Sequence, residues 1–501
     1  MPTEYEEFLR QEAIAQLRQV WDEKETTVAE LNRVKAELEA LKRLVFGRKS
    51  ERFVPEESPV NQLVLGFNGE VIVESQESKQ IEEITYTREK PKKAIPHGRS
   101  VLPEHLPRID TVIEPEEDVT GMKKIGEEIS EVLEYKPGSL FVLRTIRPKY
   151  ARPDEEGIAI APMPERALEK IMAGYALLSY LIVSKYVDHL PLYRQSKMFA
   201  REGMKIPDNT IGGWVTAVCN LLVPLYEEHK KQVLGRNYLQ ADETTIKVLD
   251  SDKKGASHLG YQWVCYAPLE KEVLFTYKKG RTQAAAVSIL NGFKGDLQTD
   301  AYAGYSPFEK TPHVRMWACL AHVRRKFYDA LKNDKKRAET MLVGIKWLYA
   351  VEELARELNT THEQRKQLRI EYAQPMLPLI KQWLDDNYNP THASSPIQKA
   401  IGYFLRLWDK FEGYVHHGHI EIDNNLIENK IRPIALGRKN YLFAGSHEAA
   451  QHAAMIYSFT ATCQANAINP QQWFECVIEI LPRTSIQDLK KLLPQNWTPQ
   501  R

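Results

Sequence analysis

Residues 420–446 read IEIDNNLIENKIRPIALGRKNYLFAGS and place one carboxylate, Glu428, among amide and basic side chains. These neighbours are Asn424, Asn425, Asn429, Lys430, Arg432, Arg438 and Lys439. A carboxylate in this setting suits a site that holds a divalent cation against a phosphate backbone. The spacing predicts a helix over Asn424–Arg432, ended by Pro433, with Asn425, Glu428 and Arg432 on one face. We predict that Glu428 binds metal and that four side chains contact DNA: Asn425, Arg432, Arg438 and Lys439.

Two further carboxylates lie upstream, where predicted strands carry or end in an aspartate. Asp242 is part of YLQADETTIKVL, and Asp300 is part of GDLQTDAYAGYSPF. An aspartate inside an apolar strand is costly to bury unpaired, which indicates a cation partner for Asp242. The set Asp242, Asp300 and Glu428 therefore predicts a two-metal phosphoryl-transfer site that takes Mg²⁺ or Mn²⁺.

The segments around these aspartates predict an ordered α/β core. The strands are Tyr238–Leu249, His258–Ala267, Val273–Tyr277, Gly295–Asp300 and Val314–Cys319, with a helix over Gly280–Leu290. The order strand, strand, strand, helix, strand, helix, strand is typical of a ribonuclease-H-like core. In that fold the first aspartate lies on the first strand and the second ends the fourth, its neighbour in the sheet.

The distance along the chain from Asp300 to Glu428 is 428 − 300 = 128 residues. The bare fold needs far fewer residues to reach its next helix. Residues 330–412 are charged and helical in pattern, so we predict that they form an inserted helical domain.

The totals describe an ordinary globular chain of 501 residues with several domains. The net charge is only +1, so any surface that binds nucleic acid must be local. The first residues are charged, and the longest apolar run, Tyr175–Val183, is far too short for a membrane span. The five cysteines do not resemble a disulfide framework. We expect a cytoplasmic protein without a membrane partner.

Residues 5–46 follow one heptad register, broken in the middle by Lys24 and Thr27. A coiled coil that makes the protein at least a dimer is favoured over a surface helix packed on its own domain. The basic end, FGRKSER at 46–52, either caps that helix or contacts DNA. Residues 53–100 have the composition of a linker.

Residues 101–162 predict a small β-rich unit with a hairpin turn at Pro137-Gly138. The unit contains no cysteine, and His105 alone cannot supply the four ligands of a structural zinc site. We therefore expect no zinc in this finger-like unit.

Residues 192–214 have the outline of a helix-turn-helix. A helix over Leu192–Glu202 meets Gly203, and a second helix follows Pro207. Asn209 and Thr210 on that second helix are predicted DNA contacts, although two helices around a glycine also occur as plain packing.

A basic patch follows the fifth predicted strand, in the segment WACLAHVRRKF. Arg324, Arg325 and Lys326 suit DNA phosphates. The pair Cys319 and His322 supplies only two potential ligands, so we favour packing over metal binding there.

Seven ordered segments resemble the large transposase of the insertion sequence 66 family. They are FGRKSER, RPKYARP, LPLYRQSKMFAREG, ADET, TDAYAGY, CLAHVRRKF and IDNNLIENKIRPIALGRKNYLFAGS. The resemblance covers nearly the whole chain. It implies a DDE-type transposase that binds the ends of its element, then cuts them and joins them to target DNA. The acidic triad of the family falls on Asp242, Asp300 and Glu428, and accessory proteins of the same element are possible partners.

The resemblance and the patterns together predict eight divisions of the chain. They are a coiled-coil helix with its basic end (1–52), a linker (53–100), a finger-like unit (101–162), a helix-turn-helix domain (163–234), the first part of the core (235–329), the insertion (330–412), the second part of the core (413–465) and a helical tail (466–501). Family members usually carry paired cysteines in the finger, near residues 114–121 and 152–156, where this chain has acidic segments instead.

Three alternatives remain at this stage. A ribonuclease-H-like nuclease or resolvase would cut without joining, and metal-dependent strand joining separates it from a transposase. A catalytically inactive regulatory descendant would bind DNA without cutting it. The three acids could also be unrelated surface residues.

Overall fold

The computed structural model describes residues 171–249 and 256–498, with short pieces between 138 and 168. The predicted coiled coil, its basic end and the linker lie outside the described residues. A two-stranded antiparallel ribbon, β1 (Lys149–Ala151) and β2 (Ile158–Ile160), belongs to the segment predicted as β-rich. No helix in the described part is long and apolar enough to cross a membrane.

A five-stranded sheet forms the centre of the described structure. Its strands are β3 (Tyr238–Leu249), β4 (Ser257–Ala267), β5 (Glu272–Lys278), β6 (Gly295–Thr299) and β7 (Val314–Ala318), in the order β5-β4-β3-β6-β7. The first three strands are antiparallel neighbours, and β6 and β7 run parallel to β3. The predicted mixed α/β character is confirmed.

The connections between strands differ from the prediction at one point. Helix α4 (Gln283–Ile289) joins β5 to β6, as predicted. Between β6 and β7 the chain forms a 3-10 helix over Ala303–Lys310 instead of an α-helix. Pro307 lies inside this segment and has no N–H to donate, which disfavours a regular α-helix there.

Helices that precede and follow the sheet in the chain pack against its edge strand β5. α1 (Tyr175–Tyr186), α2 (Leu192–Arg201) and α3 (Asp208–Leu234) precede the sheet; α11 (His447–Ala465), α12 (Pro470–Ile480) and α13 (Leu489–Leu492) follow it. The hydroxyls of Ser458 and Thr462 on α11 accept hydrogen bonds from the N–H groups of Phe275 and Val273. These bonds satisfy donors that an edge strand would otherwise expose.

The region predicted as a helical insertion contains helical elements throughout. Helix α5 (Leu320–Asp329) directly precedes this region, and the region itself contains α6 (Lys335–Glu357), α7 (His362–Leu368), a π-helical turn (Arg369–Ala373), α8 (Met376–Asn387) and α9 (Pro396–Phe411). Their apolar faces form a second hydrophobic cluster, which also includes Tyr238 of β3 and Trp317 of β7. The division into domains stays a prediction.

Helix α10 (Asn425–Tyr441) is longer than predicted. The sequence predicted that Pro433 ends it, but the helix continues for two more turns with Pro433 inside. A proline removes one hydrogen bond, here the bond to the carbonyl of Asn429. Asn429 is exposed, so water can reach that carbonyl, and the packing of Ile434 and Gly437 holds the second half of the helix.

Candidate active site

Strand register brings the two predicted aspartates together. Gln240 of β3 pairs with Gln298 of the parallel strand β6. Two residues further along, at the carboxyl end of β6, Asp242 and Asp300 reach the same level. Paired residues of parallel strands point to the same face, so the two carboxylates share one side of the sheet.

The same face of β3 carries polar side chains that hold the segment before α10. Tyr238, Gln240 and Asp242 alternate onto this face. The buried amide of Gln240 donates to Gln298 Oε1 at 2.9 Å and to the carbonyl of Asp423 at 3.0 Å. Gln298 in turn donates to the carbonyl of Glu421 at 2.7 Å. These bonds bind the start of α10 to the sheet and so bring Glu428 towards the aspartates.

The charges of Asp300 and Glu428, the other two predicted acids, both act on Asp242. The pKa of Asp242 is raised from 3.8 to about 8. Burial is the largest cause of this shift, and the negative charges of Asp300, Glu243 and Glu428 act in the same direction. The backbone N–H of Glu243 donates to Asp242 Oδ1 at 2.7 Å and opposes the shift. No cation in the described part of the chain lowers the pKa of Asp242, and a bound metal ion would supply the missing positive charge.

The donor chemistry of the site fits a hard divalent cation. Carboxylate oxygens are the ligands that Mg²⁺ and Mn²⁺ prefer. Within 171–249 and 256–498, no three histidine, cysteine, aspartate or glutamate side chains form a group that could hold a metal ion as they are placed.

Sequence reasoning missed a cation beside these acids, Arg281. Its guanidinium binds the buried carboxylate of Glu243 and lies 3.9 Å from Asp300 Oδ2. The Tyr302 ring lies 3.6 Å beneath it, and the Tyr305 hydroxyl donates to Glu243 Oε2 at 2.9 Å. A buried glutamate needs such partners. The sequence shows Glu243 beside Asp242 but gives no signal for which arginine pairs with it.

Two tyrosines of the helical segment reach the chain around the acids. On α9, the hydroxyl of Tyr403 donates to the carbonyl of Asp300 at 3.0 Å. On α6, the hydroxyl of Tyr349 donates to Asp423 Oδ2 at 2.8 Å. That carboxylate also accepts from the side chain of Asn425 at 2.8 Å. The helices between β7 and α10 therefore help to position both Asp300 and the first turn of α10.

A buried ion-pair network strengthens this attachment. Arg369, with a side chain that is 0% exposed, donates to both carboxylate oxygens of Glu352 at 2.7 and 2.9 Å. It also donates to the carbonyls of three residues that precede α10: Tyr414, His417 and Ile420. Arg365 bridges Glu352 and Glu421. These five hydrogen bonds join the π-helical turn, which contains Arg369, to Glu352 and to the segment that precedes α10. They use the donors of the guanidinium group and hold that segment in place.

The predicted DNA contacts are distributed over three helices. Arg324, Arg325 and Lys326 are exposed on α5, and Lys326 Nζ lies 5.8 Å from the ring centre of Tyr403. Arg432 and Lys439 are exposed on α10. Asn209 and Thr210 lie in the first turn of α3, which carries none of the three acids.

Arg438 and Asn425, both predicted DNA contacts, are bonded to the protein itself. Arg438 donates to the carbonyl of Thr245 and to Thr245 Oγ1, at 2.9 Å for the latter, and so attaches α10 to β3. The amide of Asn425 is bonded to Asp423. Cys319 is buried, and its Sγ accepts from the backbone of Asn424 at 3.2 Å, consistent with packing.

Comparison with known families decides the class. The family model described as "Transposase IS66 family" matches residues 170–452, which include all three acids. The chain belongs to the IS66 transposase family. A second model, "Transposase C of IS166 homeodomain", matches residues 33–111. The match of the largest model spans the sheet, the helical segment and α10, so the described site lies within the family's own domain.

Relatives cover the chain almost from end to end. The "Uncharacterized protein y4jD" of Sinorhizobium fredii is 32% identical across 93% of this chain and 94% of its own length. The "Uncharacterized protein y4qI" of the same organism is 30% identical, across 97% of this chain and 92% of its own length. The similarity to these relatives is therefore not confined to residues 170–452.

The expectation of no zinc in the finger-like unit is wrong. A third model, "zinc-finger binding domain of transposase IS66", matches residues 117–151 and points to zinc. The prediction counted cysteine and histidine alone, whereas zinc also accepts aspartate and glutamate oxygens. A count within one short segment is therefore not a sufficient test for a zinc site.

Proposed function

We propose that this transposase binds the ends of a bacterial insertion sequence and catalyses DNA strand cleavage and strand transfer by a DDE mechanism. The raised pKa of Asp242, caused by burial and by the charges of Asp300, Glu243 and Glu428, carries the proposal. Chemistry on a phosphodiester needs positive charge at the reacting oxygens, and a carboxylate whose pKa is raised by neighbouring acids can recruit that charge as a metal ion.

The sheet supports a ribonuclease-H-like core. Three antiparallel strands are followed by two that run parallel to the first, and β3 lies in the middle with Asp242. Asp300 follows the end of the neighbouring strand β6. Apart from the 3-10 helix that replaces the predicted α-helix between β6 and β7, the order of the elements supports such a core.

Each acid has a proposed role as a metal ligand. Two Mg²⁺ or Mn²⁺ ions held by Asp242, Asp300 and Glu428 would activate the attacking hydroxyl and stabilise the leaving oxygen. Tyr403 and the Gln240–Gln298 pair keep the aspartate backbone and α10 in register. The exposed Arg432 and Lys439 would bind DNA phosphates along α10, and no side chain needs to form a covalent bond to DNA.

Assembly and DNA recognition complete the proposal. The match to a homeodomain-type model at residues 33–111 supports DNA binding by the N-terminal part. We propose a homo-oligomer, at least a dimer, because two ends must be brought together. Helices α2 and α3, with Asn209 and Thr210, are proposed as a further contact to the ends.

A cleavage assay tests the proposed reaction. The substrate is duplex DNA that carries the element's terminal repeats, taken from the genomic flanks, with Mg²⁺ or Mn²⁺. We expect nicks at the element ends that leave free 3′-hydroxyls, and no protein that stays on the DNA after denaturation. A covalent protein–DNA product, or cleavage that EDTA does not stop, would overturn the DDE assignment.

Metal binding should release a proton near neutral pH. The pKa of Asp242 is about 8 in the folded, metal-free protein and 3.8 when unperturbed, so the folded state holds a proton that the unfolded chain lacks. Stability of the metal-free protein should therefore fall as the pH rises from 3.8 to about 8. Mg²⁺ must displace this proton, so its affinity should rise with pH.

Calorimetry in buffers of different ionisation enthalpy measures that release. Titration of Mg²⁺ at pH 7 should give a heat that depends on the buffer for the wild type but not for Asp242→Asn. A buffer-independent heat in the wild type would show that Asp242 is already ionised.

A further inference from the structure

An exposed apolar tip follows the helix that carries Glu428. Leu442 and Phe443, which we call the tip, directly follow α10 and are 63% and 43% exposed. Leu442 has φ 62° and ψ −41°, a backbone conformation that side-chain-bearing residues rarely adopt. The exposure of both apolar side chains and the strained backbone of Leu442 gain nothing for the fold, which indicates a binding role.

The backbone anchors the tip firmly to the sheet. The N–H of Ala444 donates to the carbonyl of Lys247 at 2.8 Å, and the N–H of Leu249 donates to the carbonyl of Ala444 at 2.9 Å. Ala444 thereby pairs in parallel with Val248, beyond the end of β6. The tip is therefore presented at a fixed position on the strand that also carries Asp242.

Charge around the tip selects a polyanion as its partner. From Asn429 to Ser446 the chain has four basic residues and no acidic one. Lys247 and Lys439, next to the tip, are exposed. An apolar pair within a basic surface suits nucleic acid, because cations bind the phosphates while apolar side chains meet the bases.

Residue counts along β3 and along α10 give similar estimates of the distance from the acids to the tip. Six residues of β3 separate Asp242 from Val248, which is about 20 Å at roughly 3.3 Å per residue. Fourteen residues of α10 and its end separate Glu428 from Leu442, which is about 21 Å at roughly 1.5 Å per residue. DNA that follows α10 would bring a base step about six base pairs from the cleaved phosphate to the tip, at roughly 3.4 Å per step.

We propose that Leu442 and Phe443 act as a wedge that unstacks the duplex about six base pairs from the cleaved phosphate. The proposal rests on the proposed function, because it needs DNA lying on α10 with its scissile phosphate at the acids. It assigns a substrate feature, a deformable base step at that position, to the specificity of this transposase.

Fluorescence of 2-aminopurine tests the wedge. The probe is placed at successive positions of the end DNA, and emission is read with and without full-length protein in Ca²⁺, which prevents turnover. We expect a rise of about two-fold or more, confined to positions about six base pairs from the cleavage site, because unstacking relieves quenching by neighbouring bases.

The variant Leu442→Gly, Phe443→Ser removes the wedge and spares the backbone. Glycine adopts φ 62° without a steric penalty, so the fold should be retained or stabilised, as thermal unfolding would show. Emission should stay at its unbound level, and end DNA should bind about ten-fold more weakly. Val343→Ala, at another exposed apolar residue (67%), is the matched control and should behave as the wild type.

Four outcomes are distinguishable. A local rise that the double variant loses supports the wedge. A rise in emission that persists in the double variant overturns the wedge. The wedge is also overturned, while the proposed function stands, if the wild type cleaves end DNA but emission rises at no position. Failure of the wild type to bind end DNA overturns the wedge together with the proposed function.

Discussion

Replacing Asp242 with asparagine should reduce DNA cleavage by about three orders of magnitude or more, since metal-based charge stabilisation contributes several kcal/mol. The variant should fold and bind end DNA as well as the wild type. Burial and neighbouring acids raise the pKa of Asp242 to about 8, so a neutral amide relieves a repulsion that ionisation creates. At pH 8 in EDTA its thermal midpoint should equal or exceed that of the wild type.

Asp296→Asn is the matched control for this prediction. Asp296 lies on β6, the strand that leads to Asp300, but its carboxylate is hydrogen-bonded to Trp317 and His419. Cleavage by this variant should stay within a few-fold of the wild type. Near-normal cleavage by Asp242→Asn would show that the triad is misassigned, and loss of folding would show that Asp242 acts in stability.

Replacing Arg369 with methionine should reduce the unfolding free energy by about 3–5 kcal/mol, because it removes one of the two arginines that pair with the buried Glu352. Glu352 is 1% exposed, and three backbone carbonyls before α10 lose a donor as well. Arg369→Lys should also destabilise, because an ammonium cannot reproduce the geometry of the guanidinium fork. Denaturant titration followed by tryptophan fluorescence measures the change.

Lys381→Met controls for loss of an ion pair without burial. Lys381 bonds Asp385 one turn away on α8, and both side chains are exposed. Its removal should change stability by less than about 1 kcal/mol. Equal small losses for Arg369→Met and Lys381→Met would contradict the view that the buried network supports the approach to α10.

The strands that carry or precede the two aspartates could be predicted because local patterns encode them. An aspartate within an apolar strand and a second at a strand end are visible in β3 and β6. The helix with Glu428 was visible from spacing, although its length was not: the exposed carbonyl of Asn429 and the packing of Ile434 let it continue past Pro433. The side chains that assemble the site could not be predicted in the same way.

Several contacts near the acids join residues that are far apart in the sequence, and the sequence pattern could not predict them. Arg281 meets Glu243 across 38 residues, and Tyr349 meets Asp423 across 74 residues. Such pairs depend on how layers pack, and one sequence carries no mark of which cation joins which acid. The zinc prediction failed for a related reason, since it treated two residue types in one segment as the complete set of ligands.

Strand joining tests the central claim most directly. Pre-cut element ends with free 3′-hydroxyls are incubated with supercoiled target DNA, Mg²⁺ or Mn²⁺, and either wild type or Asp300→Asn. We predict joined products that need the metal, appear only with the element's own ends and are lost in Asp300→Asn. Cutting without joining would point to a nuclease, and joining by Asp300→Asn at the wild-type rate would contradict the assigned site.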